Sequence, residues 1–155
     1  MQTIRFTQFR GITLAVLTLL AGQGLLFGDD NGDTSPKCTK ATLKGRYLFG
    51  ATVTLLPPIP GAPALLAVAG YHIFNGDGTG TDIVTSTING EIVENNGHFT
   101  ITYTVNSDCT GTYTVPARGL SFNIFIAPGG EELIFIATTP GFVSVQGPNR
   151  RVSDK

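Results

Sequence analysis

The stretch Thr102-Tyr103-Thr104-Val105-Asn106-Ser107-Asp108-Cys109-Thr110-Gly111-Thr112-Tyr113-Thr114-Val115 carries Thr-Tyr-Thr-Val twice, on either side of a turn. In each copy threonine alternates with Tyr or Val. Successive side chains of an extended chain point to opposite faces, so this period of two describes a strand with one side buried and one side wet. The segment between the copies is short and rich in turn-forming residues, which makes the pair an antiparallel hairpin. The same pattern extends in both directions. Upstream, Phe99, Ile101, Tyr103 and Val105 alternate with His98, Thr100, Thr102 and Thr104; downstream, Leu120, Phe122, Ile124 and Ile126 form a strand that ends at Pro128-Gly129-Gly130. Strands over 133–137 and 142–145 finish the chain. Near the start, Leu43, Gly45, Tyr47, Phe49, Ala51 and Val53 share one parity, with Thr42, Lys44, Arg46, Thr52 and Thr54 on the other. A run over 65–74 breaks at Asn75-Gly76-Asp77-Gly78, one over 79–88 at Asn89-Gly90, and a short one through Ile92 and Val93 at Asn95-Asn96-Gly97. These turns use residues that tolerate positive φ.

No segment in this region keeps helical apolar spacing for ten residues, so the expected class is all-β. About eight strands joined by short turns form a single antiparallel meander, and closing it into a small barrel removes both edges. A β-sandwich is the alternative, but sandwiches are built with Greek-key crossovers that such short turns do not supply. The expected organisation is a signal peptide over 1–28, a polar leader over 29–37, the barrel over 38–150 and a tail over 151–155.

The signal peptide rests on Arg5 and Arg10, the uncharged apolar run Ile12–Leu20, and the small residues Ala21, Gly22 and Gly24. The alternative is an uncleaved anchor. Against it, the uncharged run Gly11–Gly28 contains four glycines and Gln23, whereas a spanning helix wants about 20 predominantly apolar residues. Cleavage within 21–28 gives a secreted or periplasmic protein with no membrane segment. The 155 residues are 41% hydrophobic and 14% charged, against roughly 25% charged in an ordinary soluble domain, which excludes a disordered chain. Loss of the signal peptide takes the ten basic groups to eight against eleven acidic ones, so the net charge moves from -1 to -3. An acidic chain with no basic surplus is not built to bind nucleic acid.

Two cysteines, Cys38 and Cys109, remain in the exported part, and an even count in an oxidising compartment points to a disulfide between them. Two cysteines and two histidines without ligand spacing do not make a zinc site. Asp29, Asn31 and Asp33 have the alternate spacing that opens a calcium loop, but Thr34 and Lys40 stand where such a loop needs Gly and Glu, and a solvated linker explains them. Asn75, Asp77 and Asp82 are explained in the same way by a hairpin turn. His72 and His98 are read as structural histidines outside any apolar lining. Glu91, Glu94, Glu131 and Glu132 fall near turn tips, where paired acids are solvated, and no serine lies in a Gly-x-Ser-x-Gly context. No catalytic residue and no metal or cofactor is therefore expected.

Cys38 ahead of Leu43, Gly45 and Tyr47, then Gly76, Asp77 and Gly78, then Tyr103, Val105, Asp108, Cys109, Thr110 and Gly111 together resemble a group of exported bacterial proteins of unknown function. The resemblance covers residues 38–150. It implies a calycin-like or allene-oxide-cyclase-like barrel and an exported origin, and it brings no catalytic residue with it.

The segment Leu55–Ala69 (LLPPIPGAPALLAVA) has four prolines and no charged side chain. It reads either as a long apolar loop packed on the barrel or as a mouth or lid for an apolar ligand or a partner-contact patch, with Leu55, Leu56, Ile59, Leu65 and Leu66 as the entry or contact residues. The expected function is binding of a small hydrophobic molecule in the barrel, lined by Tyr47, Phe49, Tyr103, Phe122 and Phe135. The alternatives are a structural or interaction module with a filled barrel and, more weakly, a cyclase-like enzyme acting on an apolar substrate.

Overall fold

Two turns built to one plan set the sheet's register at one end. Asn75-Gly76-Asp77-Gly78-Thr79 and Asn106-Ser107-Asp108-Cys109-Thr110 share Asn-x-Asp-x-Thr and make the same bonds. The Asn backbone N–H donates to the Thr carbonyl (3.0 and 2.7 Å), and the Asn side-chain amide to the Thr hydroxyl (2.9 and 3.0 Å). The Asp carboxylate accepts from the Thr backbone N–H (2.8 and 3.0 Å) and from the Thr hydroxyl (2.7 Å in both). The fourth position of each turn is left-handed, Gly78 at φ 104° and Cys109 at φ 66°. The first turn uses the residue that tolerates this conformation, while the second spends it on a cysteine.

The computed structural model describes residues 37–56 and 64–153. The expected signal peptide, most of the leader with Asp29, Asn31 and Asp33, and Ile59 lie outside the described residues. The strands are β1 (Gly45–Leu55), β2 (Ala64–Phe74), β3 (Thr79–Ile88), β4 (Glu91–Val105), β5 (Thr110–Val115), β6 (Leu120–Ile126), β7 (Glu132–Ala137), β8 (Phe142–Val143) and β9 (Val145–Ser153). Short 3-10 turns occupy Lys40–Leu43 and Pro116–Arg118. Each strand from β1 to β6 pairs antiparallel with the next, and β9 lies between β7 and β1. Eight strands thus close into a barrel, with β8 outside the ring against the end of β1.

Closure requires strongly coiled strands, and glycine permits a close approach between β2 and β3. A Cβ on Gly70 would stand 1.9 Å from the Ile83 carbonyl oxygen, so β3 approaches there as only glycine allows. Two expected boundaries differ. Residues 95–97 are no hairpin turn: β4 runs through them, with register irregularities opposite Val84–Thr87 and Asn96 at φ 53° absorbing the extra residues. The last strand continues to Ser153, beyond the expected barrel limit at 150, because Arg46–Leu48 of β1 pair with Arg150, Arg151 and Ser153. On the outer face, Thr102–Thr114 (2.6 Å) and Thr104–Thr112 (2.8 Å) form cross-strand hydroxyl bonds, which explains the threonine parity.

Cys38 and Cys109 are joined in a disulfide, with Cα atoms 4.9 Å apart and a sequence separation of 71. The bridge ties the segment before β1 to the second turn, beside a bond from the Cys38 backbone N–H to the Ser107 carbonyl (3.2 Å). Closing so long a loop stabilises mainly by restricting the unfolded chain. Cys109→Ser is expected to lower unfolding stability by about 2–4 kcal/mol. Cys109→Gly should lose roughly 1 kcal/mol less, because glycine accepts the left-handed backbone. Denaturant titration reads both values, and two reactive thiols per denatured chain isolated under oxidising conditions would contradict the bridge.

Thr hydroxyl and backbone N–H bonds hold the Asp77 and Asp108 carboxyls below the ordinary value of 3.8. A depressed folded-state pKa contributes stability above the unfolded value, lost as pH falls through the lowered folded values. Stability should therefore decline as pH falls below about 4. The Asp77→Asn/Asp108→Asn variant should show a flatter decline in that window when unfolding midpoints are compared; an unchanged slope would show that these turns do not titrate with folding.

Candidate ligand cavity

The two ends of the barrel are built from different side chains. At the end carrying the twin turns, the lumen is filled. Leu43 of the first 3-10 turn is fully buried and plugs it, together with Ile101, Ile124 and Leu133. Phe74 meets Tyr47 and Tyr103 edge to face, with centroids 5.3 and 4.9 Å apart. The buried hydroxyls are satisfied. Tyr47 donates to the Gly130 carbonyl and accepts from Arg151 Nε (3.0 Å) and Nη2 (2.8 Å), and Arg151 also donates to the Thr42 carbonyl. Burial pushes the Tyr47 phenol up, against the pull of Arg151, which keeps it a donor. The Tyr103 hydroxyl donates to the Lys40 carbonyl (3.1 Å) and accepts from the Gly76 N–H (3.0 Å).

Toward the other end valines of β1, β2 and β3 stand among the aromatic side chains, and a cavity of about 250 Å³ remains. Its walls include Val53 and Phe49 of β1, Val68 of β2, Val84 of β3, Phe99 of β4 and Phe122 of β6. It reaches the surface beside Val93, half exposed, and Arg118. Arg118 pairs with Glu94, and its guanidinium carbon lies 4.5 Å from the centre of the Phe99 ring. A charged clasp therefore stands at the rim of a mainly apolar chamber.

Where the filled half meets the hollow half, three polar side chains come together. Closing β2 and β3 on the first twin turn pairs Phe74 with Gly80, and so sets His72 opposite Asp82. His72 Nδ1 lies 2.7 Å from Asp82 Oδ1, and Tyr113 of β5 reaches across the lumen to donate its hydroxyl to Asp82 Oδ2. His72 and Asp82 are 3% and 4% exposed. A buried carboxylate demands donors, and here the ring N–H and the phenol supply them. The 3.1 Å approach of Tyr113 to His72 Nδ1 is then proximity, not a third bond, since both hydrogens point to Asp82. Burial first, then the Asp82 charge and hydrogen bond, raise the Tyr113 pKa well above the phenol value, so it stays protonated. Phe49 stacks on the imidazole at 4.0 Å and 14°, and Phe135 lies beneath at 4.9 Å. His72 Nε2 is buried, and no group among the described residues bonds to it.

Of the expected lining, Phe49 and Phe122 border the cavity. Tyr47 and Tyr103 belong to the filled end, and Phe135 packs under Tyr113 and Phe122 instead. Of the expected mouth, Leu55 and Leu66 border the cavity, whereas Leu56 and Leu65 are exposed. His98 is exposed, but His72, expected outside any lining, stands on the cavity floor. Asn75 and Asp77 are engaged in their turn and Asp82 faces the lumen, so the three do not converge. Asp82, read in the sequence only as part of a turn, and Tyr113, not among the expected lining, are the site residues that sequence reasoning missed. The outward threonines Thr79, Thr81, Thr85 and Thr87 put Asp82 on the inward parity, and the turn sets it against His72.

Compared with protein-family models, curated proteins and solved structures, the chain matches none.

Proposed function

We propose that this is an exported barrel protein that binds one small hydrophobic molecule in the hollow half of its lumen. The cavity carries the reading: about 250 Å³, walled mainly by Val, Leu and Phe and open at one end. Eight strands leave room for side chains or for one small ligand, and here the lumen is divided between the two. Scaled from a cavity of roughly 150 Å³ that takes benzene, the volume suits a ligand of about ten non-hydrogen atoms. The Cys38–Cys109 bridge supports export, because disulfides persist in oxidising compartments. The resemblance to exported calycin-like or allene-oxide-cyclase-like barrels belongs to the same reading. A cyclase-like enzyme is the second reading, favoured by the polar cluster on the cavity floor.

The test is saturable binding of an environment-sensitive apolar dye, displaced by small terpenoids. Val68→Trp and Val84→Trp each project an indole into the open volume; they should leave the fold intact and weaken the dye at least tenfold. A folded wild-type protein without saturable binding, or binding indifferent to both substitutions, overturns the proposal.

A further inference from the structure

We infer that the cavity selects apolar molecules bearing a hydroxyl group, and that His72 Nε2 accepts the hydrogen bond from it. This rests on the ligand reading above and assigns the chemical class of the ligand.

Asp82 fixes where the hydrogens lie. Its two oxygens face two groups, His72 Nδ1 at 2.7 Å and the Tyr113 hydroxyl. An ionised carboxylate only accepts, so both groups must donate, which puts the imidazole hydrogen on Nδ1. In a neutral imidazole the partner of one nitrogen decides the state of the other. With the ring neutral, Nε2 then presents a lone pair, and Asp82 is a positioning residue that acts through the ring. Phe49, stacked at 4.0 Å, and Phe135, tilted at 4.9 Å, pack against that ring.

Nε2 has no partner among the described residues, and His72 borders the cavity. A buried acceptor left without a donor is costly, so a ligand must supply one or lose affinity. An alcohol or phenol supplies it while its body fills the apolar chamber. A ketone or ether offers only a second acceptor, and a hydrocarbon offers nothing. A carboxylate would bring a second negative charge beside Asp82 in a poorly hydrated site.

Borneol, camphor and bornane test this, because they share one rigid carbon skeleton and differ in carrying a hydroxyl, a carbonyl or neither. Dye displacement by the wild-type full chain should rank borneol roughly tenfold tighter than camphor and bornane, the scale of one net hydrogen bond. His72→Phe keeps a ring against Phe49 and should reduce the preference to within about twofold while bornane still binds. Asp82→Asn should invert the order. The Asn oxygen continues to accept from Tyr113, its amide donates to Nδ1, and Nε2 then carries the hydrogen and favours camphor. Equal binding of all three by the wild type overturns the hydroxyl inference and leaves the ligand reading standing. Camphor preferred by the wild type also overturns it, since the ring would then be a donor. Binding of none of the three removes both. The wild-type ranking decides the matter even if a variant fails to fold.

Discussion

Everything in this molecule depends on β1 being hydrogen-bonded along both edges. Its pairing with β2 is continuous from Gly45 to Leu55, whereas its other edge is joined only at Arg46–Leu48 by β9 and at Thr54–Leu55 by β8. That second edge turns an open meander into a closed barrel. Because the seam is short, side chains reinforce it. Arg151 of β9 binds Tyr47 of β1 and the Thr42 carbonyl of the plug, and Tyr47 binds the Gly130 carbonyl. One guanidinium thereby joins the last strand, the first strand and the segment that closes the filled end. Without closure there is no lumen, and neither the plug nor the cavity has meaning.

The division of the lumen is a matter of side-chain size along the strands. β1 carries Tyr47 and Phe49 and then Val53; β2 runs inward from Phe74 through His72 and Gly70 to Val68; β3 offers Val84 and Ser86 to the hollow half. Large rings interlock edge to face at one end, whereas at the other Val53, Val68, Val84 and Ser86 stand among the phenylalanines and the space between them stays open. Were the cavity a sealed void, its missing packing would cost up to about 6 kcal/mol at ~24 cal/mol per Å³, comparable with the whole stability of a small domain. A mouth open to water lowers that cost. The hollow is still a substantial concession in a barrel this small, which is the physical reason to connect it with binding.

The buried Asp82, His72 and Tyr113 are the second concession. A polar trio in an apolar lumen is tolerable only when its members satisfy one another, and here all but Nε2 are satisfied by protein. The cluster also marks the boundary between the filled and the hollow halves.

Much of this was legible in the sequence. The Tyr/Thr alternation on either side of the Asp108-Cys109 turn, together with the other short turns, was enough for an all-β meander and its closure, because period-two patterning and turn chemistry are local. The cavity was less legible. Ala64–Phe74 is apolar on both parities, so alternation alone could not say that Val68 and His72 face inward while Ala67 and Tyr71 face outward. How deep Tyr47 and Tyr103 sit depends on the stagger of closure and on the plug of residues 38–43, which no local pattern encodes. Asp82 looked like part of a polar turn, yet the outward threonines of β3 had already assigned it to the lumen. The central claim is a barrel half filled and half hollow, and a crystal structure determined under xenon pressure tests it most directly. Xenon should appear among Val53, Val68, Val84 and Phe122 and nowhere among Tyr47, Phe74, Tyr103 and Leu133; a hollow half filled by the protein's own side chains, with no xenon in it, would contradict the account.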